Sequence, residues 1–521
     1  MNIATTLEVL AQNYPHRLAI VEEKKSTTYA SLNRQVAAVA TYLNLHEIKK
    51  GDIVLLYVNL SSELYALLLG INRLGAVVLF IDPTYGPKEL KHCIQLTKPK
   101  AIIVADRLNL VAHLAAPLFG IEKIFSLSQF NLANDLSSTK SLPIAIAEVD
   151  DSMPALITFT SGSSGLPKGI SRSHGYLSTQ CQVLRDELAI GRCQSEITTL
   201  PIFVLANLAS GVTSILPSSN LRSRFKIKQQ AETAQLAAQM LEHLPERILA
   251  APAFLMQIAS YLKEQNIQCY FVREVLTGGG PVFPQLLILL RAAFPSAKLI
   301  TVYGSTEAEP ISHLELPEDL TQDLLADLGA IAAGAGLPQG KISQHIDLAI
   351  LPGALQSEYT ETQFNMLRAP ANAIGEIVVA GSHVITGYID GIGDRENKIR
   401  VGSRIFHRTG DVGYVDAQGQ LFLLGRSAME VGVPGGSVYP LAVEASAMAT
   451  GIVESCAYLL ANSKRVLVVK LKSNSCTNKE AEAALLRHLQ FAYIDKVVIR
   501  ASLPMDKRHS SKILYNKLKG L

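Results

Sequence analysis

Residues 156–174 constrain this chain more than any other stretch. They read Leu-Ile-Thr-Phe-Thr-Ser-Gly-Ser-Ser-Gly-Leu-Pro-Lys-Gly-Ile-Ser-Arg-Ser-His. An alternating, strand-like start breaks into small hydroxylated residues and glycines, closed by Lys168 between Pro167 and Gly169. Gly162 and Gly165 let the backbone take positive φ and approach a ligand closely. Thr160, Ser161, Ser163 and Ser164 offer hydroxyls, and successive backbone N–H groups in such a turn make a concavity that suits an anion. Lys168 adds a full positive charge. A flexible Ser/Gly linker is the bland alternative, but linkers rarely follow an apolar strand or carry Pro-Lys-Gly. A nucleotide-hydrolase P-loop needs four residues between its glycines and Ser or Thr after its lysine. Here two residues separate Gly162 from Gly165, and Gly169 follows Lys168, so the loop grips phosphate in another way.

With 521 residues the chain is too long for one core and divides into two or three domains. A net charge of +3 gives no strong pull toward nucleic acid or acidic membranes, and 48% apolar content fits a hydrophobic substrate or contact surface. Cys93, Cys181, Cys193, Cys269, Cys456 and Cys476 are scattered without C-x-x-C spacing, which fits buried thiols in a reducing cytoplasm. The N-terminus lacks a signal-peptide pattern. The most apolar segment, 64–80, carries Asn72 and Arg73 centrally and reads as a helix leading into a buried strand, so no stable membrane insertion is expected.

Residues 1–150 alternate helical and strand-like patterns: a helix over 29–45, strands over 52–58, 76–81 and 101–104, and a helix through Leu69. Such alternation predicts an α/β domain with largely parallel sheets. Residues 131–141 form a polar interruption, and a basic cluster (Arg222, Arg224, Lys226, Lys228) reads as a solvated face. Helices are predicted over 174–188, 231–244 and 284–293, and the charge-free run 199–207 reads as strand to loop. Strands at 274–280 and 298–303 run into Gly278-Gly279-Gly280 and Gly304-Ser-Thr-Glu307. From Gly375 short strands and turns follow, and beyond Arg426 there is chain for a small α+β domain. Ligands of α/β sheets lie beyond the carboxyl ends of strands, so three glycine-bearing loops after strands can converge on one nucleotide.

Together these segments resemble the AMP-forming adenylating superfamily of acyl-CoA synthetases, nonribosomal-peptide adenylation domains and luciferases. The resemblance rests on Thr160-Ser-Gly-Ser-Ser-Gly-Leu-Pro-Lys-Gly169 with His174 behind it, Val302-Tyr-Gly-Ser-Thr-Glu307, Thr409-Gly-Asp411, Gly425-Arg426 and Lys512 near the C-terminus. It implies an α/β fold: a large domain (1–425) of stacked, mostly parallel sheets with a small β-rich subdomain, and a small mobile α+β lid (426–521). It implies ATP and Mg2+ as cofactors and a carboxylic acid as substrate. The 160–169 loop would hold the β- and γ-phosphates, and Thr306 would donate to the α-phosphate. Glu307 would help bind Mg2+, a hard cation that prefers oxygen ligands. Tyr303 would lie on the adenine beside Gly278–Gly280, Asp411 would accept from the ribose hydroxyls, and Arg426 would pair with ribose or phosphate. His174 and Lys512 complete the catalytic set, with Lys512 bridging the carboxylate and α-phosphate. Each has a bland reading: a turn for Thr409–Asp411, a helix cap for Glu307, a core histidine for His174 and a surface lysine for Lys512.

Phe203, Val204 and Asn207 occupy the substrate-pocket motif. Amino-acid-activating members carry Asp where Val204 stands, and a buried ammonium without a counterion costs several kcal/mol, which argues against an α-amino acid. At the hinge, Ala428, Gly432, Pro434 and Ser437 stand where the family carries an acid and basic residues, which puts thiolation by CoA or an acyl carrier protein in doubt. Residues 75–83, the Leu-Pro-x-Phe pocket, 303–312, 407–414 and 503–512 look like bacterial olefin-pathway β-lactone synthetases, whose activated β-hydroxy acid closes on itself. The expected activity is AMP-forming activation of a fatty or β-hydroxy fatty acid. An acyl-CoA or carrier-protein ligase and a degenerate nucleotide-binding protein are the alternatives.

Overall fold

The computed structural model describes residues 1–82, 84–130, 132, 144–160, 166–219, 226–317, 334–472, 477–505 and 513–520. Two compact units emerge: 1–218 with 382–395, and 219–381 with 396–521.

In the first unit, six strands lie in the order Lys123–Ser126, Ala101–Val104, Ile53–Tyr57, Val77–Phe80, Pro154–Thr160, Lys168–Ser173. All neighbours are parallel except the last pair. The intervening helices Tyr29–Leu45, Ser62–Arg73 and Pro87–Thr97 supply the expected alternation. Ser61 and Thr28 cap two of them by accepting from the N–H groups of Leu64 and Ser31. A second set pairs Ser195–Thr198, Thr213–Ile215 and Leu18–Glu22 in parallel, with Lys25–Thr28 antiparallel at the end.

One expectation fails. Residues 199–207 do not run from strand to loop; Pro201–Ser210 is a helix, with Pro201 in its first turn and Gly211 at φ 75° behind it. An unbroken apolar run carries no period that separates a buried helix from a buried strand. The proline and glycine flanking it were the available signal.

The second unit contains the parallel strands Arg247–Ala250, Glu274–Gly278 and Lys298–Ser305. Antiparallel strands then continue outward through Ala308–Glu315, Leu337–Ile342, Gln420–Arg426, Arg404–Val415, Gly375–Ala380 and Asp347–Leu351. Gly375–Ala380, Arg404–Val415 and Gln420–Arg426 are the short strands expected after Gly375, and the antiparallel half also takes in three strands that precede it. Beyond Arg426, a hairpin (Val431–Val433 with Gly436–Val438), helices Pro440–Ala449 and Asn478–His488, and a three-stranded sheet (Val453–Ala461, Lys464–Leu471, Lys496–Ile499) surround their own core of Val443, Tyr458, Leu467, Val469 and Leu485. Cys93, Cys181, Cys193, Cys269 and Cys456 are buried free thiols, as expected; Cys476 lies outside the described residues.

Glu444 is sealed within this C-terminal core. Its Oε1 accepts the Tyr458 N–H at 2.9 Å and the Tyr515 hydroxyl at 2.5 Å, and burial pushes its carboxyl up to about 8. A carboxyl raised above its ordinary 4.5 on folding favours the native state fully below that value, and the contribution is lost as pH climbs to about 8. Thermal melting therefore shows a Tm that falls between pH 5 and 8, and Glu444→Gln flattens that fall.

Candidate functional site

The second unit gathers the nucleoside-side candidates. Glu274–Gly278 and Lys298–Ser305 are parallel neighbours with Gly278 opposite Val302. A Cβ on Gly278 would stand 2.3 Å from the Val302 carbonyl oxygen, so only glycine permits this approach. Gly279 follows at φ 76°, with Gly280 after it. Beyond Tyr303 the chain reverses: Ser305 pairs with Ala308, which leaves Thr306 and Glu307 as the two residues of a hairpin turn. Glu307 therefore caps no helix. Thr306 is exposed and Glu307 half-buried at that tip.

Asp411 ties this strand to its neighbours. Tyr303 donates its hydroxyl to Asp411 Oδ2 at 2.8 Å, and Arg426 donates to Asp411 Oδ1 at 3.0 Å. Arg426 also donates to the Thr409 carbonyl at 2.8 Å. The Thr409 hydroxyl in turn donates to the Ile377 carbonyl and accepts the Asp411 N–H. Asp411 and Arg426 are directly opposite across an antiparallel pair, so the sheet register itself delivers the ion pair. Burial, reinforced by the Asp411 charge, pushes the Tyr303 hydroxyl far above its ordinary range and keeps it a donor. Asp411 also holds the Arg426 guanidinium charged.

The sequence reading missed two residues here. His407 is buried, its Nδ1 3.4 Å from Lys398 Nζ and 3.2 Å from the Asn397 carbonyl. Burial and the Lys398 charge lower it to about 3, so the ring is neutral, while Glu307 pulls the other way. His407 opens the 407–414 segment and could have been flagged. Nothing in the sequence marks the buried Lys398 as its cross-strand partner.

The first unit carries the phosphate-side and acid-side candidates. Thr160 pairs directly with Lys168 across antiparallel strands, so the register brings the two ends of the loop together. Ser161, Gly162, Ser163, Ser164 and Gly165 lie outside the described residues. Lys168 is buried, with its ammonium 5.3 Å from the Tyr388 ring centroid. Gly393, at φ 97°, lies so close that a Cβ there would stand 2.7 Å from the lysine stem. Neither Tyr388 nor Gly393 was foreseen, although the glycine-rich run 387–393 was visible.

His174 packs inside the first unit. It is fully buried at the start of helix His174–Leu188, its Nδ1 accepts the Ile3 N–H at 3.2 Å, and burial lowers it to about 4. The imidazole is neutral, with Nδ1 taken by the N-terminal segment and Nε2 buried without a partner among the described residues. Asn207 is likewise committed inward: its Nδ2 donates to Glu196 Oε1 at 2.9 Å and Ser214 Oγ at 3.2 Å. Phe203 and Val204 are buried on the same helix. Lys512 lies outside the described residues, but Met505 bridges Ile513, and Leu514 N–H donates to the Pro504 carbonyl, so the flanks of 506–512 meet.

The sequence profile of AMP-binding enzymes matches residues 7–389. The chain belongs to that family. It is an AMP-forming carboxylate-activating enzyme. An olefin β-lactone synthetase of Xanthomonas campestris is 28% identical, over 99% of this chain and 96% of its own. A 4-coumarate–CoA ligase of Humulus lupulus is 24% identical over 80% of this chain and 74% of its own. Among solved structures, an anthranilate CoA ligase bound to anthranoyl-AMP superposes with a TM-score of 0.81 at 16% identity, covering 100% and 96% of the two chains. An amide bond synthetase from Marinactinospora thermotolerans gives 0.79 at 20% identity, covering 99% of each. These likenesses bear out the α/β adenylate-forming fold.

Among the described residues no three His, Cys, Asp or Glu side chains cluster as metal ligands. A single carboxylate at Glu307 fits Mg2+, which commonly keeps waters and substrate phosphates around one or two carboxylates.

Where Asp411 accepts the ribose hydroxyls, replacing it by Ala removes hydrogen bonds to a charged group, a loss of about 2 kcal/mol of binding. Calorimetric titration with AMP then shows roughly thirtyfold weaker binding. Tyr303→Phe, which removes one donor to a retained carboxylate, weakens AMP by about tenfold or less.

Proposed function

We propose that this enzyme activates a hydrophobic β-hydroxy acid as its acyl-adenylate and lets the product close to a β-lactone. A substrate carboxylate oxygen attacks the α-phosphorus of ATP, and pyrophosphate leaves. The β-hydroxyl oxygen then attacks the activated carbonyl; the new C–O bond forms as the acyl–phosphate bond breaks, AMP departs with the electron pair, and the hydroxyl proton goes to solvent. No thiol is required.

The observation that carries this reading is the similarity to olefin β-lactone synthetases along 99% of the chain. The hinge agrees with it. Gly432, Pro434, Gly435, Gly436 and Ser437 form an exposed hairpin with no Lys or Arg, and the Ser437 hydroxyl donates to Glu430. Such a tip offers little to an anionic CoA. Val204 offers no counterion to an ammonium.

In this reading Thr160 to Lys168 grip the β- and γ-phosphates, and Thr306 donates to the α-phosphate. Glu307 would hold Mg2+, which would supply positive charge against the phosphates. Tyr303 and Gly278–Gly280 receive adenine, and Asp411 with Arg426 receives ribose. Lys512 bridges carboxylate and α-phosphate as residues 426–521 move as a lid. Negative charge grows on the phosphates during transfer, so these donors must be set in advance. The 4-coumarate–CoA ligase relatives support a second reading, transfer to CoA.

Pyrophosphate release with a panel of fatty and β-hydroxy fatty acids, followed by mass analysis with and without CoA, separates the readings. A CoA-independent lactone is expected. An acyl-CoA that forms only when CoA is present overturns lactone closure. ATP binding without pyrophosphate release from any acid marks a degenerate protein. Lys512→Ala lowers pyrophosphate release by at least about a hundredfold; full activity in that variant removes the lysine from its assigned role.

A further inference from the structure

Helix Asn109–Ala115 and the 3-10 turn Ala116–Phe119 that continues it are apolar on both sides. The inner side is accounted for: Ala112 is buried, and Ala116 and Phe119 pack with Cys93, Ile94 and Ile121. The outer side is not. Leu110, Val111, Leu114 and Leu118 are 74%, 59%, 70% and 84% exposed. Their positions make one helical stripe. Single exposed leucines are ordinary, but four on one stripe form a patch that calls for an occupant.

The neighbouring helix Pro87–Thr97 packs into the same cluster through Cys93 and Ile94. It turns Lys88 and Lys91 outward, Lys98 follows at its end, and Arg107 is exposed just before the leucine stripe. The exposed acids nearby are Asp106, which accepts the Ser128 N–H, and Glu122 beyond the far end. An aliphatic stripe thus lies beside a row of cations.

We propose that this face docks the enzyme on an anionic bilayer. The leucines enter the boundary between headgroups and acyl chains while the lysines meet lipid phosphates. No helix among the described residues is long and apolar enough to cross a membrane, so the contact lies on the bilayer. A protein partner is the poorer fit, because protein interfaces anchor on aromatic and arginine side chains seated in pockets. Here the side chains are purely aliphatic and stand out from the surface, and a bilayer asks for no matching shape. Residues 133–143 of this chain carry only two leucines in a polar run.

The test is co-sedimentation of the full-length protein with phosphatidylcholine vesicles, with and without phosphatidylglycerol, at low and high salt. Binding to the phosphatidylglycerol vesicles is expected, weakened by salt. Leu114→Gln/Leu118→Gln should lower the partition coefficient on the order of tenfold. The melting temperature should not change, since neither side chain is buried. Lys88→Glu/Lys91→Glu should remove the preference for phosphatidylglycerol. Absent binding, or equal binding by the leucine variant, overturns the proposal. A dimer in sedimentation velocity that the leucine variant abolishes also overturns it, and assigns the face to a second copy. The outcome does not depend on which acid the enzyme activates.

Discussion

Asp411 is held from two sides before any ligand arrives. One oxygen accepts from Tyr303 and the other from Arg426, and its own N–H donates to Thr409. On the proposed reading, in which this carboxylate meets the ribose hydroxyls, it gains from being oriented in advance, because orientation otherwise costs entropy at binding. The remaining lone pairs on each oxygen stay available to further donors. Three strands must keep register for this to work: the one ending at Tyr303, the one carrying Asp411 and the one ending at Arg426. Gly278 fits the same requirement, since any side chain there would push its strand off Val302.

The large elements were legible because their periods were clean. Tyr29–Leu45, Ala101–Val104 and Pro284–Ala293 form where apolar spacing placed them. The glycine-bearing turns at 278–280 and 304–307 were legible as well, since each directly follows an apolar strand. Pro201–Ser210 was not, because a continuous apolar segment has no polar face to reveal its period. Long-range partners were also hidden. Asn207 meets Glu196 and Ser214, and His174 meets Ile3, through side-chain contacts that no local pattern encodes. A sequence shows a polar group without the atoms around it; here each residue spends one polar atom on these contacts, while Asn207 Oδ1 and His174 Nε2 are buried without a partner among the described residues.

Burial sets the chemical state of several of these groups. His407 and His174 are kept neutral at physiological pH, while Glu444 is carried in the opposite direction into the neutral range. The common cause is removal of water, which disfavours whichever form is charged. Lys398 adds to the effect on His407, so the ring beside Glu307 stays a neutral imidazole, and its Nδ1 faces both a cation and a carbonyl.

The first unit is closed by residues 382–395, which return from far along the chain. Tyr388 covers Lys168, Ile385 joins Ile170, and the His383 carbonyl accepts the Tyr176 hydroxyl. On a ribosome, residues 219–381 must be made before that patch can form. At bacterial or eukaryotic elongation rates the wait is on the order of ten seconds. Throughout it the nascent chain presents an open seam beside strand Lys168–Ser173, a natural point of engagement for chaperones.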